Sequence, residues 1–150
     1  METYDAEKAA QVWKRVQGSS SETPDAAILC DMIAGEQSDA AVYLHLSRRY
    51  QGRESTLLRR LFEEEMSHTA CLKGIYTLLT GQKLPARSHQ PSQEPTETIL
   101  RRCYGREMRC LALYEQWSAH REFGPVFRRL AQQEQEHCRA LLILLGSLKK

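Results

Sequence analysis

The chain has 150 residues with 21 basic and 19 acidic side chains, a net charge of +2, so it suits one domain with a core of its own and carries no charge excess that would single out nucleic acid or an anionic membrane as a partner. No apolar run approaches the ~20 residues that span a bilayer, and the charged N-terminus METYDAEKAAQVWKRV lacks the apolar core of an export signal, so a cytoplasmic protein is expected. The five cysteines, Cys30, Cys71, Cys103, Cys110 and Cys138, are odd in number and form no CxxC pair, which excludes a disulfide framework and a cysteine-rich zinc site and leaves small apolar filler as their role.

In chain order, every periodic stretch is helical. Residues 4–17 carry Ala9, Val12, Trp13 and Val16 at helical spacing, and the polar segment GSSSETP follows. Thr23 is placed to cap, and Pro24 to open, a long helix to about Tyr50. Gln51-Gly52 breaks it, and a second helix covers about Arg53 to Thr80. GQKLPARSHQPSQEP, residues 81–95, is polar and proline-bearing and reads as a loop. A third helix covers about 96–121, Gly124-Pro125 ends that stretch, and a fourth runs from Pro125 to about Leu148.

Short turns make the first and second helices antiparallel, and likewise the third and fourth. The 15-residue loop at 81–95 reaches ~50 Å at ~3.3 Å per residue, more than the ~40 Å of the longest helix. It can cross the bundle and make the second and third helices parallel. The expected fold is an all-α four-helix bundle at about 24–148 with one long crossover, preceded by an extra segment at 1–23 that holds a short helix.

The second helix, read in steps of three and four, gives Leu58, Leu61, Glu65, His68, Leu72, Ile75 and Leu79; the fourth gives Phe127, Leu130, Glu134, His137, Leu141, Leu144 and Leu148. Both are apolar inward seams interrupted by a glutamate and a histidine one turn apart. The flanks match as well, LLRRLFEEEMSH against VFRRLAQQEQEH, at an offset of 69. The first and third helices repeat at an offset of 71, which pairs Leu29 with Leu100, Glu36 with Glu107, Tyr43 with Tyr114 and Ser47 with Ser118. The chain is two copies of a helical hairpin, each supplying one glutamate from its first helix and Glu-x-x-His from its second.

Four carboxylates and two imidazoles inside one bundle need counter-charge, because each unpaired buried ion costs several kcal/mol. Two divalent cations would neutralise Glu36, Glu65, Glu107 and Glu134, with His68 and His137 giving one imidazole to each. An oxygen-rich shell of this kind suits iron or manganese. Glu63, Glu64, Gln132, Gln133 and Glu136 fall off the seams and read as a solvated face or as support behind the ligands. His45, His89 and His120 have no such partners and read as surface or polar groups. Tyr43 and Tyr114, two turns beyond the glutamates on their helices, are placed either for core packing or for a hydrogen bond to a ligating carboxylate.

The pattern Glu36, Glu65-x-x-His68, Glu107, Glu134-x-x-His137 resembles the ferritin-like di-iron carboxylate superfamily, and within it the rubrerythrin family, over residues 24–148. That resemblance implies a ferritin-like bundle in which Glu65 and Glu134 bridge two iron ions, Glu36 and Glu107 are terminal ligands, His68 and His137 bind one ion each, and Tyr43 and Tyr114 hydrogen-bond the glutamates. It also implies reduction of hydrogen peroxide, or oxidation of ferrous iron by oxygen or peroxide. Rubrerythrins often place a further glutamate three residues after the third-helix ligand, where this chain has Cys110, and they carry a rubredoxin-like iron domain with two CxxC pairs, which this sequence lacks.

The expectation is therefore a di-iron oxidoreductase acting on hydrogen peroxide or dioxygen with electrons from a separate donor protein, with manganese or a mixed pair as the other metal choice. Alternatives of other classes are an iron-handling ferroxidase and a bundle whose metals are only structural. The N-terminal segment is expected to pack on its own bundle, with a homodimer contact as the alternative.

Overall fold

The structure, a computed structural model, describes residues 23–85 and 88–148. The short helix expected at residues 4–17 lies outside the described residues. Those described form four helices and no strand: α1 Ala26–Ser47, α2 Gly52–Thr80, α3 Thr96–Trp117 and α4 Gly124–Ser147. No helix among them is long and apolar enough to cross a membrane.

The helix ends follow from local chemistry. At α1 the cap is Asp25, two residues beyond the expected Thr23; its carboxylate accepts from the Ala27 and Ile28 amides at 2.8 and 3.1 Å, satisfying donors that the first helical turn leaves open. Gly52 at φ 65° makes the reversal between α1 and α2, and Gly81 at φ 78° ends α2 with its amide on the Thr77 carbonyl; both sit in the left-handed region that a Cβ disfavours. The third helix stops at Trp117 rather than near residue 121. There His120 turns its ring onto the next segment, where Nδ1 accepts from the Glu122 and Phe123 amides at 3.1 and 3.0 Å. His120 is buried, so of the surface or polar role expected for it the polar one holds: its ring closes the turn that leads from α3 into α4.

Four inward stripes close the core. Leu29, Ile33, Leu72, Leu79, Tyr114, Trp117 and Phe127 form an apolar cluster on one side of the middle, and Tyr43, Leu46, Leu58, Leu61, Leu100, Leu141 and Leu144 form another on the opposite side. The seams read from α2 and α4 are buried throughout except at Leu148, where α4 has ended. Cys103, Cys110 and Cys138 are buried, Cys30 and Cys71 half-buried, and all five are free thiols.

Contacts between helices give the directions. Tyr43 of α1 reaches Glu107 of α3 while Tyr114 of α3 reaches Glu36 of α1, so α1 and α3 run antiparallel. The Ser55 hydroxyl near the start of α2 donates to the Ser47 carbonyl at the end of α1, so α1 and α2 are antiparallel too. It follows that α2 and α3 point the same way. Arg49, just past α1, donates to the carbonyls of Ser92 and Glu94 and to Thr96. The 81–95 connection thus leaves one end of the bundle and arrives at the other.

Candidate metal centre

Glu36, Glu65, His68, Glu107, Glu134 and His137 meet between the two apolar clusters, and none is more than 1 % exposed. Each arrives there because its helix keeps its seam inward, and the antiparallel pairing of α2 with α4 puts Glu65 opposite His137 and Glu134 opposite His68. The two imidazoles stack with centroids 5.3 Å apart and planes 19° from parallel.

The distances sort the carboxylates into two kinds. Glu65 Oε1 lies 2.7 Å from His137 Nδ1 and 4.0 Å from His68 Nδ1. Glu134 places Oε1 2.9 Å from His68 Nδ1 and Oε2 3.7 Å from His137 Nδ1. These two therefore sit between both histidines. Glu36 Oε2 approaches only His68, at 3.4 Å, and Glu107 Oε2 only His137, at 3.5 Å.

Each outer glutamate spends one oxygen on a tyrosine. The Tyr43 hydroxyl donates to Glu107 Oε1 at 2.6 Å, and the Tyr114 hydroxyl to Glu36 Oε1 at 2.7 Å. Burial, reinforced by neighbouring thiol and carboxylate groups, holds both phenols well above their ordinary pKa, so both are donors at neutral pH. The outer ring nitrogens are held as well: His68 Nε2 is 2.6 Å from Gln133 Oε1, and His137 Nε2 is 2.6 Å from Glu64 Oε2.

That leaves an inward set without hydrogen-bond partners: Glu36 Oε2, both oxygens of Glu65, His68 Nδ1, Glu107 Oε2, both oxygens of Glu134 and His137 Nδ1. The imidazole nitrogens among them make only ion-pair approaches to the carboxylates. A buried polar atom without a hydrogen-bond partner is costly and rare; eight facing one another could hold a cation. One atom each from Glu65, His68, Glu134 and His137 lie within 4.8 Å of one another. The types fit hard or borderline divalent cations, being oxygens with one imidazole nitrogen per position.

Without a cation the site holds protons. Burial by itself would lower the histidine pKa values, but the adjoining carboxylates outweigh it and raise each to about 9, Glu134 and then Glu36 acting on His68, Glu134 and then Glu64 on His137. Burial, and then repulsion from Glu134, raises Glu36. Burial would also raise Glu134, but His137 and His68 bring it below the ordinary carboxylate range.

Two groups of residues stand beside these six: Glu64 and Gln133, for which the sequence left support behind the histidines open against a solvated face, and Asp39, which it did not single out. Glu64 and Gln133, placed off the seam, are the partners of the outer histidine nitrogens; the signal was that they occupy equivalent positions in the two hairpins, one residue before Glu65 and Glu134. Asp39, one turn beyond Glu36, is 1 % exposed, and an oxygen of its carboxylate lies within 4.8 Å of oxygens of Glu65 and Glu107. It is paired with Arg106, and its i+3 spacing from Glu36 was its signal. Cys110, the Asp39 equivalent at the 71-residue offset, lies against Glu36, where burial first and that carboxylate next keep its thiol protonated. His45 contacts Arg49 outside this cluster, and His89 is in the 81–95 connection.

The chain matches no protein-family model, no curated protein and no solved structure.

Proposed function

We propose that this protein is a non-haem di-iron oxidoreductase, ferritin-like in fold and closest in kind to rubrerythrins, that reduces hydrogen peroxide, or dioxygen, with electrons from a separate donor protein. The observation that carries this reading is the set of eight buried inward donor atoms without hydrogen-bond partners. Bound as a pair, iron ions would supply two electrons to the oxidant. Glu65 and Glu134, each beside both histidines, are suited to hold both ions; Glu36 with His68 and Glu107 with His137 would complete one position each.

The surrounding residues orient these ligands. Tyr43 and Tyr114 fix one oxygen of each outer glutamate and leave the other free. Gln133 and Glu64 hold the outer nitrogens of His68 and His137, so that Nδ1 of each faces inward. The apolar clusters above and below keep bulk water out, which strengthens electrostatic interactions within. A cavity of about 190 Å³ between α2 and α4, lined by Arg60, Glu64 and Glu136 among others, reaches the outer edge of His137.

The test is metal analysis of protein purified without air, followed by stopped-flow mixing of the reduced protein with peroxide and, separately, with oxygenated buffer. Two irons per chain and oxidation faster by peroxide than by oxygen support the reading. Faster oxidation by oxygen would favour a ferroxidase or oxidase; a metal-bearing centre inert to both would favour a structural role.

A further inference from the structure

The two hairpins place equivalent side chains around the centre, but not identical ones. Behind His68 stands the neutral amide of Gln133; behind His137, at the matched position, stands the carboxylate of Glu64, both at 2.6 Å. A carboxylate accepting from an imidazole N–H makes the opposite nitrogen a stronger donor than an amide does. The second difference is independent of the first. At the 71-residue offset Asp39 corresponds to Cys110. The Asp39 carboxylate lies within 4.8 Å of ligand atoms of Glu65 and Glu107, whereas the thiol of Cys110 lies against Glu36.

Both differences favour the same side. The Glu107–His137 position has two extra carboxylates nearby, Glu64 and Asp39, where the Glu36–His68 position has an amide and a thiol. Arg106 offsets part of the Asp39 charge but also holds that carboxylate by an ion pair. Glu64 lines the cavity that reaches His137; Arg60 pairs with its Oε1 at 3.0 Å and offsets part of its charge, but leaves Oε2 on His137 Nε2.

We infer that the two metal positions are inequivalent: the Glu107–His137 position takes a divalent cation first and holds it more tightly than the Glu36–His68 position. This rests on the two-metal reading above and adds an order of filling set by Glu64 and Asp39.

The test is anaerobic titration of metal-free, full-length protein with Co(II), followed by visible absorption and calorimetry, with circular dichroism to check folding. Two steps are expected, their Kd values separated at least tenfold. His137→Ala should abolish the tighter step and His68→Ala the weaker. Glu64→Gln should weaken the tighter step about 10- to 100-fold, the range for a partner behind a metal-binding histidine, and Asp39→Asn should weaken it as well. The exchange Glu64→Gln with Gln133→Glu keeps composition and net charge and should bring the steps together or reverse their assignment. If a single variant fails to fold, Gln133→Glu alone serves, since it should tighten the weaker step. Two equal steps, a tighter step that survives His137→Ala and disappears in His68→Ala, or no change in Glu64→Gln would overturn the inference while leaving a two-metal centre intact. Folded protein that binds no Co(II) would overturn both.

Discussion

Tyr43 on α1 donates its phenolic hydrogen to Glu107 on α3 across 2.6 Å, and both side chains are fully buried. The bond joins the two hairpins and fixes which Glu107 oxygen stays free. Tyr43→Phe keeps the ring and leaves a buried carboxylate oxygen unpartnered, a change that costs about 1–3 kcal/mol. Metal-free Tyr43→Phe should be less stable by that amount and melt lower, and its metal affinity should fall while two ions still bind. Thermal melts with and without chelator, together with a metal titration, check both statements; an unaltered melt would mean that the bond contributes nothing.

Glu65→Ala and Glu134→Ala should each cripple both metal positions, because each carboxylate sits beside both histidines. Glu36→Ala and Glu107→Ala should affect mainly one. The matched control is Glu63→Ala, exposed on the same helix, which should bind metal as the parent does. Glu64 is no such control, since it holds His137. Metal counts per chain after desalting would decide; equal loss from Glu63→Ala and Glu65→Ala would reverse the assignment of the inward face of α2.

The pH dependence has a definite sign. In metal-free protein His68 and His137 are raised to about 9 from an ordinary value of 6.5. A raised pKa contributes stability that is fully present below 6.5 and is lost as pH climbs through about 9. Metal-free protein should therefore lose stability between pH 6.5 and 9, by a total on the order of a few kcal/mol, read as a falling melting temperature. Metal must displace these protons, so apparent metal affinity should rise over the same range, and the melting gap between loaded and chelated protein should widen. A gap that narrows with rising pH would contradict the proton assignment.

His120→Ala should destabilise the fold by about 0.5–1.5 kcal/mol per lost hydrogen bond, because the Glu122 and Phe123 amides in the turn before α4 lose their acceptor. Metal content should be unchanged, since His120 is outside the donor set. Denaturant melts and metal analysis on the same preparation would test this; loss of metal in a folded variant would show that the α3–α4 turn reaches the centre.

Periodicity by itself determined four helices, their inward faces and the six residues that meet on them. Period 3.6 ties a residue's face to its position, and a charged residue on an apolar stripe has no inward alternative to a buried one. The doubled hairpin also pointed to Tyr43 and Tyr114 as partners of the glutamates, without saying which tyrosine serves which. Only the tertiary structure decided that each tyrosine serves the glutamate of the other hairpin, because that follows from α1 and α3 running antiparallel. It also decided that Glu64 and Gln133 hold the outer histidine nitrogens and that Asp39 is buried beside carboxylate oxygens of Glu65 and Glu107. Those side chains stand at the edges of the seams, where a long or half-buried side chain can turn to solvent or to a neighbouring helix, and the neighbour's position is fixed only by packing. The end of α3 and the turn closed by His120 were undecided for the same reason: helical pattern continues through residues 118–121, and a buried imidazole accepting two amides outweighs it.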